Sequence, residues 1–243
     1  IRRGLVGYHG TCEMADRNVG RVLRAIDTED LWDTTLVAYG SDHGGSMGAH
    51  HHSGMGSMYE DSIRVPLIVA GPGIASDEVE STPVSHFDLF QTFCEALKLP
   101  PPEHMRGVSL LKFLQEETGA ILPDFALSEF HGPGLPGSAF ALRSESYKYV
   151  ECVGERPMLF DLAQDPLEMH DLALEPEASH TLARLRRMLY QVCCPEAIDR
   201  RAKADQQALR VKMAQTGQLV EELWKRGYER NPEHLIPRPE FVV

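Results

Sequence analysis

Asp42 and His43 stand side by side at the end of a short apolar run, Thr35-Leu36-Val37-Ala38-Tyr39, and are followed at once by Gly44-Gly45. A carboxylate oxygen and a neutral imidazole nitrogen both bind divalent cations, so the pair could form half of a metal site. Its position favours that reading. The apolar run is too short for a helix and rich in β-formers, which predicts a buried strand, and ligands of open α/β sheets sit beyond the carboxyl ends of strands. The plainer alternative is a loop aspartate capping a turn beside an exposed histidine. The loop continues through His50, His51 and His52, and Ser57 to Ile63 leads into a second strand expected over Val65 to Ala70.

The flanking segments have to position this loop. Cys12, Ala15, Val19, Val22 and Ile26 recur at three- and four-residue spacing among charges, which predicts an amphipathic helix from Leu5 to Ile26. Helix, strand, loop, strand is an α/β order with the site at the edge of a mostly parallel sheet. Gly71-Pro72-Gly73 signals a turn. Ser85-His86-Phe87-Asp88 reads as a capping-box variant opening a helix whose apolar face is Phe87, Phe90, Phe93, Cys94 and Leu97. Proline stops it at Pro100. From Phe125 the rhythm changes to short runs, Phe125 to Glu129, Ala139 to Arg143, Tyr147 to Val153 and Met158 to Leu162, which predict a small antiparallel sheet. A helix carrying Leu182, Leu185, Met188, Leu189 and Val192 on one face is expected to pack on it. Beyond Ala197 a thin stripe of Ala202, Leu209, Met213, Val220 and Leu223 runs among many charges before Pro232, Pro237 and Pro239. Such a stripe is either a helix laid across the protein or a contact with a partner, including a second copy of the chain.

The 243 residues are 42% hydrophobic and 25% charged, enough for one large domain or a major and a minor one. A net charge of −12 argues against nucleic acid or an anionic membrane surface as the main partner. No apolar run approaches the ~20 residues a membrane-spanning helix needs. The five cysteines form no spaced framework, and Cys12, Cys94 and Cys152 fall within apolar patterns as buried thiols. A reducing, cytoplasmic setting is the expectation. The sequence opens at Ile1 without a methionine, so a native start upstream is expected as well.

Ser41-Asp42-His43-Gly44, then Gly48, His50, Gly56 and Tyr59-Glu60, then Ile63-Arg64-Val65-Pro66-Leu67 resemble, without a gap, the second metal-binding block of the sulfatases in the alkaline phosphatase superfamily. Asp16 with Val19 to Leu23, Met105 to Leu111, Arg143 to Tyr149, and Leu159 to Glu168 with Asp171-Leu172-Ala173 are similar to further sulfatase segments. The tail after Pro195 and Ser85 to Leu89 look like the choline-sulfatase branch. The resemblance implies three parts: residues 1–122 as the C-terminal part of a catalytic α/β domain, 123–194 as a small antiparallel subdomain with a packing helix, and 195–243 as a polar helical tail.

What the resemblance implies chemically is a sulfuric ester hydrolase acting on a small-molecule sulfate ester. Asp42 and His43 would belong to a Ca²⁺ site, with Mn²⁺ as the alternative, and His50 would stand near the substrate or leaving group. Sulfatases carry their nucleophile, a formylglycine made from cysteine, in a Cys-x-Pro-Ser-Arg or similar motif. Cys193-Cys194-Pro195-Glu196 does not fit it, so the nucleophile is expected outside these residues and the chain alone is expected to be inactive. The block departs from the family at Met55, where a sulfate-contacting lysine is usual, and a thioether cannot supply that charge. Two other readings stay open: a phosphate or phosphonate ester hydrolase on the same fold, and a non-catalytic sulfatase-like binding protein.

Overall fold

The computed structural model describes residues 2–120, 122–132 and 135–216. The chain divides into two compact units, 1–195 and 196–243. The first opens with helix α1, Arg2–Thr28, somewhat longer than its apolar spacing predicts. It stops where Asp30 takes a left-handed backbone (φ 52°) and the Leu31 N–H donates back to the Ile26 carbonyl at 2.9 Å. The expected apolar stripe is only partly covered: Cys12, Ala15 and Val22 are exposed, whereas Val19 and Ile26 are half-buried. Cys94 and Cys152 are half-buried.

Strand β1, Val37–Gly40, and strand β4, Leu67–Ala70, are the two that flank the metal-type loop. They pair antiparallel, from Val37 against Ala70 to Gly40 against Leu67. Between them lie a two-residue hairpin, β2 Ser46–Met47 on β3 Ser53–Gly54, and the short helix α2, Glu60–Ile63. The mixed α/β class is as expected, but every ladder among the described residues is antiparallel. The reason is the connection: a return with no crossover helix brings β4 back against the direction of β1.

Helix α3, His86–Ala96, begins at the expected cap, with the Ser85 N–H donating to Asp88 Oδ2 at 2.7 Å. Its faces are the reverse of the expectation. Phe87, Phe90, Phe93 and Leu97 are exposed, whereas Asp88 and Thr92 are buried. Polar anchoring explains this, since Asp88 Oδ1 accepts from Val108 N–H at 2.8 Å and Thr92 Oγ1 from Leu110 N–H at 2.9 Å. Both bonds tie the helix to the segment that leads into helix α4, Leu111–Leu114.

The small sheet appears as the residues predict. Strands β5 Ala126–Phe130, β6 Ala139–Ser144, β7 Tyr147–Cys152 and β8 Met158–Asp161 form an antiparallel meander in that order. Helix α5, Ser179–Val192, packs on β6 and β7 through Leu185 and Leu189, which are fully buried. Phe140, Leu142, Tyr149 and Leu159 share one buried face of the sheet, whereas Phe160 is buried on the opposite face beside Lys148. The Tyr149 hydroxyl donates to Glu151, and burial with that neighbouring carboxylate pushes its pKa far up. Helix α6, Pro195–Thr216, starts at the last residue of the first unit and otherwise belongs to the second, with an ion pair from Lys203 to Asp199 at 2.8 Å. Val220, Leu223 and the prolines of the expected tail stripe lie outside the described residues. No helix among the described residues is long and apolar enough to cross a membrane.

Candidate functional site

β1 delivers its last residue, Gly40, directly into the turn that carries Asp42 and His43. Three bonds define that turn. Ser41 Oγ donates to the His43 carbonyl at 2.8 Å, the His43 N–H donates to Asp42 Oδ1 at 2.9 Å, and the Gly44 N–H donates to the Ser62 carbonyl at 2.8 Å. Gly44 has no substitute here, since a Cβ on it would stand 2.2 Å from the Asp61 carbonyl oxygen. The loop therefore lies flat against α2.

The histidine is oriented by its own neighbour. His43 Nδ1 is 2.8 Å from the Gly44 carbonyl, and a carbonyl can only accept, so in the neutral ring Nδ1 carries the proton and Nε2 the lone pair. Nε2 lies 3.6 Å from Asp42 Oδ2. That separation lets one cation at the usual oxygen-ligand distance of about 2.3–2.6 Å touch both atoms, and a backbone acceptor on the distal ring nitrogen is the support a metal-binding imidazole requires. Asp42 is 84% exposed in its side chain and His43 is 44% exposed. The His43 backbone N–H, and then the charge on His43, hold the Asp42 carboxyl below the usual carboxylate range. Among the described residues no group of three or more His, Cys, Asp or Glu side chains converges to complete a metal sphere. The donors present therefore fit a cation as two of its ligands.

Asp42 and His43 line a cleft of about 900 Å³ whose other walls include Met55, Glu80, Glu129 and Arg143. Met55 is 65% exposed and stands in this cleft, where the family's lysine was expected. His50 is placed elsewhere. It sits in a 3₁₀ turn with left-handed backbone (φ 48°, ψ 28°), and its ring lies flat on Tyr59 with centroids 3.8 Å apart. It is not among the residues lining the cleft, so the structure brings Asp42, His43 and Met55 together and leaves His50 on the Tyr59 side. Tyr59 in turn contacts Phe160 and, through its hydroxyl, Met158 Sδ at 3.9 Å, both on the small sheet. Desolvation, then Glu168, raises its pKa.

One group of functional interest was missed in the sequence. Glu60, the first residue of α2, accepts from Arg143 at 2.9 Å and from Lys148 at 3.2 Å, while Lys148 also pairs with Glu168. The Glu60 N–H donates to Glu168 Oε2 at 2.6 Å. Lys148 is fully buried and Glu168 nearly so. The available signal was Lys148 itself, a lysine in the middle of an otherwise core-like strand, because a buried lysine needs a paired carboxylate.

A family model described as Sulfatase matches residues 5–99. Arylsulfatase K of Gallus gallus is 33% identical to this chain over 199 residues, covering 78% of the chain and 37% of that protein. The chain belongs to the sulfatase family. Among solved structures, a 2-O GAG sulfatase matches this sulfatase chain with a TM-score of 0.67 at 28% identity, over 80% of the chain and 42% of that structure. The phosphonate monoester hydrolase of Agrobacterium radiobacter matches with a TM-score of 0.64 at 30% identity, over 72% and 38%. The chain spans a little over a third of the length of the curated relatives it matches. These relatives are vertebrate arylsulfatases K, and they lend no support to the choline-sulfatase branch expected from the tail.

Proposed function

We propose that the protein carrying this sulfatase chain hydrolyses sulfuric esters with a divalent cation held in part by Asp42 and His43. The observation that carries the reading is the fixed imidazole: with the Nδ1 proton committed to the Gly44 carbonyl, Nε2 presents its lone pair 3.6 Å from Asp42 Oδ2 in the cleft wall. A cation there would supply Lewis-acid stabilisation of the negative charge that builds on oxygen as the S–O bond breaks. The His43 N–H engages Asp42 Oδ1, which leaves Oδ2 for the ligand. We propose Ca²⁺, with Mn²⁺ as the alternative because imidazole is a softer ligand than Ca²⁺ prefers. The nucleophile is proposed to lie outside these 243 residues, since neither Cys193 nor Cys194 stands in a Cys-x-Pro-Ser-Arg context.

A phosphonate or phosphate ester hydrolase is the second reading. It is favoured by Met55 in the cleft and by the likeness to a phosphonate monoester hydrolase. One assay separates the two: turnover of an aryl sulfate, an aryl phosphate and an aryl phosphonate by the full-length protein, its Asp42→Ala variant and the 243-residue chain alone. The expected result is metal-dependent sulfate hydrolysis by the full-length protein, lost in Asp42→Ala and absent from the chain alone. Preference for phosphonate would establish the second reading, and no turnover of any ester would leave a binding protein.

A further inference from the structure

The small antiparallel sheet does more than pack beside the catalytic part, because one continuous line of contacts runs from its core to the ring of His43. We propose that Lys148 is a positioning residue for His43. The inference rests on the reading of His43 as a metal ligand only for its functional meaning; the structural link stands without it.

The line begins at Lys148 on β7, whose side chain is fully buried between two carboxylates. It pairs with Glu168 and, at 3.2 Å, with Glu60 Oε1. Arg143 on β6 takes the other Glu60 oxygen at 2.9 Å, so Glu60 is gripped from two adjacent strands. Glu168 closes the ring by accepting the Glu60 backbone N–H at 2.6 Å. The two cations and two anions balance, and the first turn of α2 is fixed by its side chain and its backbone together. Such a cluster adds little net stability compared with an apolar replacement, but removing one member leaves the others buried and unpaired. Its geometric effect is to allow one placement of α2.

Two residues on, the Ser62 carbonyl takes the Gly44 N–H at 2.8 Å, and the Ser62 hydroxyl bonds to Ser57 Oγ at 2.8 Å and lies 3.3 Å from Ser46 Oγ. Because Gly44 touches α2 backbone with no space for a Cβ, movement of α2 is passed to Gly44 directly. The Gly44 carbonyl is the acceptor that holds His43 Nδ1 at 2.8 Å. Displacing α2 therefore moves the acceptor of His43 Nδ1, and with it the preference for the tautomer that leaves Nε2 open. The ring of His50, stacked on Tyr59 immediately before Glu60, lies on the same anchored segment.

The test compares wild type, Lys148→Met and a control, Tyr149→Phe, in the full-length protein with ¹⁵N-labelled histidine. His43 is assigned among the eleven histidines of this chain by its loss in His43→Gln. Tyr149→Phe disturbs the same strand but removes a bond to Glu151, not to Glu60. At a pH where imidazole is neutral, wild type and Tyr149→Phe should show His43 as the Nδ1–H tautomer, and Lys148→Met should show a mixture shifted toward Nε2–H. Titration with Ca²⁺ and with Mn²⁺ should show a loss of affinity of about 10–100-fold in Lys148→Met alone. Should Lys148→Met fail to fold, Glu168→Gln, which keeps the shape of the cluster and removes one charge, carries the same comparison. An unchanged His43 tautomer in the folded variant overturns the proposal, as does an equal change in Tyr149→Phe. A tautomer change in a protein that binds neither cation would uphold the link and refute the metal reading instead.

Discussion

Replacing Gly44 by alanine tests the local geometry most severely, because the methyl group enters a space already filled by backbone. Its Cβ would stand 2.2 Å from the Asp61 carbonyl oxygen, 3.1 Å from the Asp61 carbonyl carbon and 3.3 Å from Ser62 Cα. None of these is the tip of a side chain that could swing away, so the turn and α2 must separate by roughly 1 Å to reach ordinary contact. Overpacking of this kind costs about 1–3 kcal/mol, and the Gly44 N–H to Ser62 bond that must lengthen contributes about 0.5–1.5 kcal/mol. The expected loss is therefore about 2–4 kcal/mol, read as a lowered urea midpoint at unchanged slope in the full-length protein. Gly45→Ala is the matched control, since its Cβ would meet nothing closer than the Gly54 carbonyl at 4.0 Å. It should cost under about 0.5 kcal/mol. Equal midpoints for wild type and Gly44→Ala would refute the account of how the loop is held.

Two further outcomes follow from the cleft. Met55→Lys in the full-length protein should raise turnover of a simple aryl sulfate by about 10–1,000-fold, if a charge-assisted bond strengthens toward the transition state by ~1.4–4 kcal/mol; a fall, with metal still bound, would mean that Met55 shapes a pocket for another substrate. Asp42 gives a pH test in the metal-free protein: its carboxyl is held below its ordinary value by the His43 N–H, so its stabilising contribution is complete above about pH 4 and is lost as the pH falls through the lowered value. Asp42→Asn should accordingly be less stable than wild type at pH 6 and converge with it in strong acid; a difference that persists at the lowest pH would assign the effect to packing instead.

The small sheet was legible nearly to the residue, since its strands alternate between clear turn signals and its core residues are large and apolar. The strand ahead of Asp42 was legible in place, running over Val37–Gly40 instead of Thr35–Tyr39, but not in burial, since Ala38, Tyr39 and Gly40 are exposed. The exposed phenylalanines of α3 were not, because periodicity identifies an apolar face and says nothing of what covers it. Nor was the placement of His50. Its left-handed backbone and stacking on Tyr59 depend on a two-residue hairpin too short to leave a pattern. The ion cluster was hidden because its four members, Glu60, Arg143, Lys148 and Glu168, are up to 108 residues apart and meet only in the folded chain.

Metal content is the most direct test of the central claim that Asp42 and His43 are ligands of a divalent cation. Elemental analysis of the full-length protein, of Asp42→Ala and of His43→Ala should find calcium or manganese bound in the wild type and clearly reduced in each variant. Unchanged metal content in both folded variants would contradict the assignment.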